Sequence, residues 1–330
     1  MSFVNQSPQA NGLKKNDPIS KDLASKDLTT MDLQDKSIEN NLFQAKFLHP
    51  KYWSIWGVYG LLRLIIQLPY KTQLAIGASL GWAGYHLARN RRHVAKVNIN
   101  LCFPCLDEQA QKRLLKATFR STGIGIIETA NSWLGSIQAL KQRFNIIGQE
   151  HLELALAQGK GVLLVGMHAS TLDLCGAVLS SNVGFDVMYR QNKNPFIEAI
   201  MKRGREKRYP AAIQRDDIRG VLKSLKAGRA VWYGPDQDYG RKHSVFAPFF
   251  NIETATITAT ARFAKLSGAA VIMFTHHRID QTADSPQYRI ELSAPLTAYP
   301  QGNHVADAAL INSKIEADPK GDWRNVIHNE

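Results

Sequence analysis

His168 and Asp173 lie five residues apart in Gly166-Met167-His168-Ala169-Ser170-Thr171-Leu172-Asp173, directly after the apolar run at 162–165. That run follows Gly159 and Gly161 and reads as a short buried strand. His168 then falls at the strand's carboxyl end, where α/β proteins gather their chemistry, and Asp173 in the first turn of the next helix. A histidine that serves as general base needs its second ring nitrogen held by an acceptor, usually a carboxylate. A strand–turn–helix of this spacing can return Asp173 to the imidazole. The plainer alternative is a satisfied polar histidine beside an aspartate that complements the helix N-terminus. No Gly-x-Ser-x-Gly elbow accompanies the pair. The nucleophile of such a dyad is therefore the substrate's own hydroxyl or water.

Other chemistry-bearing residues collect at later strand ends. Tyr189-Arg190 closes the run at 185–189, and the helix after it carries Lys202, Arg203, Arg205, Lys207 and Arg208. Such a row is either a solvated face or a phosphate clamp. The run at 230–233 leads into Gly234-Pro235-Asp236-Gln237-Asp238. Asp236 and Asp238 could orient catalytic groups, form a turn, or hold the metal of a nucleotide-sugar glycosyltransferase. The phenylalanine-rich stretch at 244–250 suits an acyl chain if it lies outside a core. Glu128 sits within an apolar helical run, either partly exposed or buried with a partner, because a buried unpaired carboxylate is costly. Cys102-Phe-Pro-Cys105 has the spacing of a redox or zinc motif, but no strand precedes it and no further ligands stand nearby.

The elements that must position these groups read as α/β. Apolar runs at 162–165, 185–189, 230–233 and 269–275 alternate with helical stretches at 172–179, 195–208, 218–227 and 256–266, and 288–292 is a candidate for one more strand. The pattern predicts a mixed or parallel sheet flanked by helices. Residues 105–155 read as helical, with one segment from Asp107 through Phe119 and a second around Ile124 to Trp133. The polar first 45 residues cannot bury enough apolar area to offset chain entropy and contain no apolar signal region, so they read as a disordered tail. Residues 53–68 carry Arg63 as their only charge and are rich in Trp, Tyr, Leu and Ile. With Arg89, Arg91, Arg92, His93 and Lys96 following, residues 46–92 are expected to form a membrane-anchoring helical region, spanning or interfacial. The basic cluster would keep the body, residues 93–330, in the cytoplasm. The 330 residues hold 41 Lys and Arg against 28 Asp and Glu, a net charge of +13. This excess implies an anionic partner: nucleic acid, a membrane surface, or a phosphorylated or acidic substrate. Three cysteines exclude a disulfide scaffold.

Together these stretches resemble the lipid A biosynthesis late acyltransferases. The resemblance runs from about residue 47 to 316 and rests on His49-Pro-Lys-Tyr-Trp53, Gln67-Leu-Pro-Tyr70, Asn100-Leu-Cys-Phe-Pro104, Phe119-Arg120, Ile127-Glu128, the His-x4-Asp pair His168 and Asp173, Tyr189-Arg190, Arg203-Gly-Arg205, and the 235–242 and 246–250 segments. Gly240-Arg241-Lys242 is similar to the lauroyltransferase branch. The resemblance implies a fold like that of the glycerolipid acyltransferases and transfer of a lauroyl chain. The donor would be acyl carrier protein and the acceptor a Kdo-bearing lipid IV-A-type precursor, at the cytoplasmic face of the inner membrane. No cofactor, metal or nucleic acid is implied. His168 would be the base and Asp173 its orienting partner. Arg205 and Asp236 match positions the family needs, while Glu128, Arg190, Arg203 and Asp238 fall in motifs expected to contact substrate. Two departures stand out: Asp173 replaces the glutamate common in the lauroyl branch, and the usual Trp-x-His-Arg-Arg-Phe closing segment is replaced by a different sequence. Three rival readings stay open at this point. A glycerolipid acyltransferase would share the His–Asp pair, but its Phe-Pro-Glu-Gly-Thr-Arg-type block has no match here. The second rival is a metal-dependent glycosyltransferase, and the third a non-catalytic lipid-binding protein.

Overall fold

The computed structural model describes residues 42–237, 240, 244–279 and 287–317. The chain divides into Met1–Gln44, described only at its last three residues, and Ala45–Glu330, which holds every element named below. The strands are β1 (Phe144–Ile147), β2 (Val162–Val165), β3 (Asp186–Tyr189), β4 (Ala212–Gln214), β5 (Ala230–Tyr233), β6 (Ser244–Phe249), β7 (Ile252–Ile257), β8 (Ala270–Arg278) and β9 (Tyr288–Leu292). The helices are α1 (Trp53–Ile65), α2 (Tyr70–Leu87), α3 (Arg89–Cys102), α4 (Glu108–Leu134), α5 (Gln149–Ala157), α6 (Leu172–Ser180), α7 (Pro195–Glu206), α8 (Ile218–Lys226), α9 (Ala259–Ser267) and α10 (His304–Glu316).

Seven strands form one sheet in the order β1-β9-β8-β2-β5-β3-β4. Every neighbouring pair is parallel except the antiparallel β8–β9, which makes the sheet mixed, as expected. Central β2 is buried along its whole length. Its side chains alternate between faces. Val162 and Leu164 pack with Leu152 of α5 and with Leu174 and Val178 of α6. Leu163 and Val165 pack with Val221 and Leu225 of α8, Phe263 of α9 and Ile311 of α10. Helices thus cover both faces, which explains why β2 is an unbroken apolar run.

Several boundaries differ from the sequence reading. Residues 144–147, expected within a helical stretch, form edge strand β1, because Phe144–Ile147 pairs in register with Tyr288–Glu291 of β9. The phenylalanine-rich stretch at 244–250 is not an open loop: most of it is β6, paired with β7 in a separate two-stranded ribbon. The helix expected from residue 256 therefore starts only at Ala259, since 256–257 complete β7.

The expected pair of helices around residue 120 is one continuous helix, α4, capped by Asp107, whose side chain accepts from the Ala110 N–H at 2.7 Å. Glycine weakens a helix interior, yet Gly123 and Gly125 are needed where they stand. A Cβ on Gly123 would overlap the Gly77 and Gly81 backbone of α2, and one on Gly125 would come within 2.9 Å of Ser170. The first contact sets α2 directly against α4. The second brings the loop after His168 onto the same helix.

α1 spans 13 residues and ends at Ile65, short of the expected 68. At 1.5 Å per residue it reaches about 20 Å, against a bilayer core of roughly 30 Å. Among the described residues no helix is long and apolar enough to cross a membrane.

Gly123→Ala should lower the urea midpoint markedly, by about 1–3 kcal/mol of stability, because the new methyl group meets backbone that cannot move aside. Gly60→Ala in α1, where a Cβ meets nothing within 4 Å, should instead be neutral or stabilising by up to about 1 kcal/mol. Equal effects at the two positions would contradict the close α2–α4 contact.

Candidate active site

His168 follows β2, and the segment after neighbouring β5 carries Asp236. Because β2 and β5 are paired in parallel, their carboxyl ends lie side by side. The His168 Nδ1 lies 2.6 Å from Asp236 Oδ1, and the His168 backbone N–H donates to Asp236 Oδ2 at 2.8 Å. Gly234 permits this approach: a Cβ there would stand 2.6 Å from the imidazole Cε1. Trp232 supports the ring edge-on, with centroids 5.2 Å apart. Burial pushes the Asp236 carboxyl up, but the bonds from the His168 ring and backbone and the ring's charge outweigh it, so the carboxyl is held below its usual range. Asp236 is accordingly ionised at neutral pH and can only accept. The proton therefore belongs on Nδ1, which leaves Nε2 as the basic nitrogen.

Asp173, expected as the orienting partner, is placed differently. Its Oδ2 accepts from Thr129 Oγ1 at 3.2 Å and its carbonyl from Ser132 Oγ at 2.8 Å. No hydrogen bond joins it to His168 among the described residues. It nevertheless shares the same space, because His168, Leu172 and Asp173 border two cavities at once. The larger, ≈ 710 Å³, is an apolar groove walled by α1 (Ile55, Val58, Leu62), α4 (Ile126, Trp133) and α7 (Ile197, Ile200). The smaller, ≈ 370 Å³, lies among Gly176, Phe185, Val187, Tyr209 and Phe274, with Arg190, Arg205 and Arg215 on its wall.

Arg205 is held over the rings of Tyr189 (5.1 Å) and Trp133 (6.0 Å), and its buried Nη1 has no hydrogen-bond partner among the described residues. A buried guanidinium nitrogen left in this state is suited to an oxygen of a bound molecule. Arg190 lines the same cavity from an exposed position. Arg203, from the opposite side of the same helical turn, is exposed and lines neither cavity. Asp238 lies outside the described residues. Nothing in the sequence singles out Arg215, which stands in a polar loop after a three-residue strand with no motif around it.

Glu128 has a different place from the substrate contact expected of it. It is fully buried and receives two bonds from Arg278, Nε to Oε1 at 2.6 Å and Nη2 to Oε2 at 2.5 Å, and a further one from the Tyr288 hydroxyl. Burial and the Glu128 charge raise Tyr288 well above its ordinary range, so that hydroxyl stays protonated and donates. The same guanidinium donates to Ser121 Oγ at 2.6 Å and Ser170 Oγ at 3.1 Å. Glu128 thus bears on the site through Arg278, which ties the loop after His168 to α4. Thr171 in that loop is also fixed, its Oγ1 2.7 Å from His276 Nδ1 on β8. Cys102 and Cys105 are unbridged, and no group of three or more metal-ligating side chains occurs among the described residues.

The family model for bacterial lipid A biosynthesis acyltransferases matches residues 41–320. The chain belongs to that family. It is similar to the lipid A biosynthesis palmitoleoyltransferase of Escherichia coli K12, with 36% identity over 84% of this chain and 89% of the relative. It is also similar to the lauroyltransferase of the same organism, with 34% identity over 83% and 89%. A lipid A biosynthesis acyltransferase of Haemophilus influenzae is 34% identical over 84% and 88%. The chain is thus an acyltransferase, and the family implies a lipid A precursor as acceptor.

Two measurements check the supports of this acyltransferase site. Arg278→Gln strands a buried carboxylate and should cost about 3–5 kcal/mol. Adding Glu128→Gln should recover part of that loss, a coupling of roughly 0.5–3 kcal/mol in a double-mutant cycle. Strict additivity would mean the pair does not interact. His276 supplies a pH dependence. Burial, then the nearby His277 charge, pushes its imidazole down from 6.5 to about 3. Between those values the unfolded state binds the extra proton, so the contribution of neutral His276, complete above 6.5, is lost as pH falls. The unfolding free energy of the native protein should drop about 1.4 kcal/mol per pH unit faster across that range than that of His276→Gln. Parallel curves would show that His276 takes its proton without unfolding.

Proposed function

We propose that the protein transfers a lauroyl chain from acyl carrier protein to a hydroxyl of a Kdo-bearing lipid A precursor. The observation that carries this reading is the placement of His168, fixed by Asp236, where an apolar groove and an arginine-walled cavity meet. A donor thioester and an acceptor hydroxyl have to come together at one base, and two cavities sharing one imidazole provide for that. His168 Nε2 takes the proton of the acceptor hydroxyl as its oxygen attacks the thioester carbonyl. The tetrahedral intermediate collapses with loss of the carrier's thiolate, and the imidazolium returns the proton to that sulfur. Asp236 holds the ring and supports its positive charge, and Asp173 borders the same two cavities. Asp236 thus takes the orienting role that the sequence reading gave to Asp173. Arg205 Nη1, buried on the wall of the cavity that His168 borders, is assigned as donor to the developing oxyanion, a role worth about 3–4 kcal/mol when such a donor is lost.

The same reading assigns Arg190, and the exposed Arg203 on the same helix as Arg205, to acceptor phosphates. It places the enzyme on the cytoplasmic face of the inner membrane. One face of α1 walls the groove, while Trp53, Leu61 and Leu64 are exposed, as suits a helix lying in the bilayer surface. The boundaries at 45 and 92 remain our proposed division into tail, anchor region and catalytic body. Both bonds from His168 occupy Asp236 oxygens, which favours this reading over a metal held by Asp236 and Asp238.

Purified protein should transfer acyl chains from the carrier thioester to the precursor, with the product's chain identified by mass spectrometry. His168→Ala should reduce turnover at least about 10²-fold in a folded protein. Asp236→Asn should reduce it too, because the ring loses the carboxylate that fixes its tautomer. Near-normal turnover in folded His168→Ala would overturn the mechanism.

A further inference from the structure

α2 and α3 meet the N-terminal half of α4 along a groove that takes no part in the site above. It comprises two adjoining cavities, ≈ 630 and ≈ 600 Å³, which share Tyr85, His86 and Lys112. Arg89, Arg92, Lys96, Lys112, Lys116 and Arg120 face it, against the single carboxylate of Glu108. Lys112, Lys116 and Arg120 recur every four residues and so stack along one side of α4. Like charges so spaced repel, and a bound anion relieves the repulsion. Arg92 is already oriented, with its guanidinium 5.1 Å over the Tyr85 ring and its Nη1 donating to the Tyr85 carbonyl at 2.6 Å. None of the other five cations forms an ion pair among the described residues. The glycine contact between α2 and α4 is what brings the aromatic and cationic rows together.

Exposed apolar residues on the same helices decide between a soluble anion and a surface. Trp82 lines the groove yet is 68% exposed, Leu87 at the end of α2 is 81% exposed, and Val94, Val97 and Leu101 form an exposed row on α3. A soluble phosphate would satisfy the cations and leave these side chains in water. An anionic bilayer takes up both the cations and Trp82, with phosphates in the groove and the indole at the level of the headgroups. We infer that this groove is a second, electrostatic docking site for the phosphate headgroups of an anionic bilayer, apart from the apolar face of α1. The inference extends the membrane association proposed above, but its test does not depend on acyl transfer.

The full chain is sedimented with vesicles of phosphatidylcholine alone and of phosphatidylcholine mixed with phosphatidylglycerol. Arg89→Ala/Lys112→Ala/Lys116→Ala should weaken partitioning onto the mixed vesicles about 10²-fold, from roughly fivefold per cation, and leave the neutral vesicles unchanged. Lys223→Ala/Lys226→Ala/Lys265→Ala removes the same charge elsewhere and should have little effect. Thermal melting verifies that both variants are folded. Equal loss from the two triple variants would overturn the inference in favour of diffuse attraction. Retained vesicle binding in the groove variant would overturn it as well; if the KM for an acidic carrier protein then rose, the groove would belong to that protein instead. Absence of acyl transfer by the native chain would count against the proposed reaction and leave the vesicle result intact.

Discussion

A carboxylate in an apolar interior must be neutralised where it stands, and the neutralisation of Glu128 organises the centre of this protein. Arg278 supplies the counter-charge from β8, Tyr288 adds a bond from β9, and Tyr70 of α2 joins through its hydroxyl to Tyr288. The remaining guanidinium bonds reach Ser121 on α4 and Ser170 in the loop after His168. One buried charge pair therefore connects two adjacent strands, two helices and the catalytic loop. Low dielectric makes such a network strong when complete and costly when one member is missing. Its effect on chemistry is indirect: it fixes the backbone from which His168 projects, while Asp236 fixes the ring.

The two carboxylates near His168 have separate surroundings and hence separate tasks. Asp236 is bonded twice to one residue, whereas Asp173 is anchored by hydroxyl groups and borders both cavities. The family match, with relatives named for two different acyl chains, agrees with a site in which the proton-transfer apparatus is built independently of the walls that meet the chain.

What can be read from the sequence is local. β2 and β5 are legible to the residue because buried central strands are unbroken apolar runs, and His168 can be placed at a strand end for the same reason. The partners that complete the site lie far along the chain. Asp236 is 68 residues from His168 and Arg278 is 150 from Glu128. The Gly-Pro-Asp strand end and the buried glutamate are visible as features, but the strand order that joins them to their partners is not. β1 and the β6–β7 ribbon escape a sequence reading because edge strands exist through pairing, and Phe144-Asn-Ile-Ile carries no periodicity that separates it from a helix. The continuity of α4 is hidden by Gly123 and Gly125, whose reason for being glycine is a neighbour, not the helix itself.

The catalytic role of His168 turns on Asp236, which by accepting from Nδ1 leaves Nε2 as the base. The direct measurement is the ¹⁵N chemical shifts of the His168 imidazole in its neutral form, assigned by their loss in His168→Ala. A proton on Nδ1 is expected in the native protein, with a change in that tautomer balance in Asp236→Asn. A neutral His168 protonated on Nε2, or a tautomer indifferent to Asp236, would contradict it.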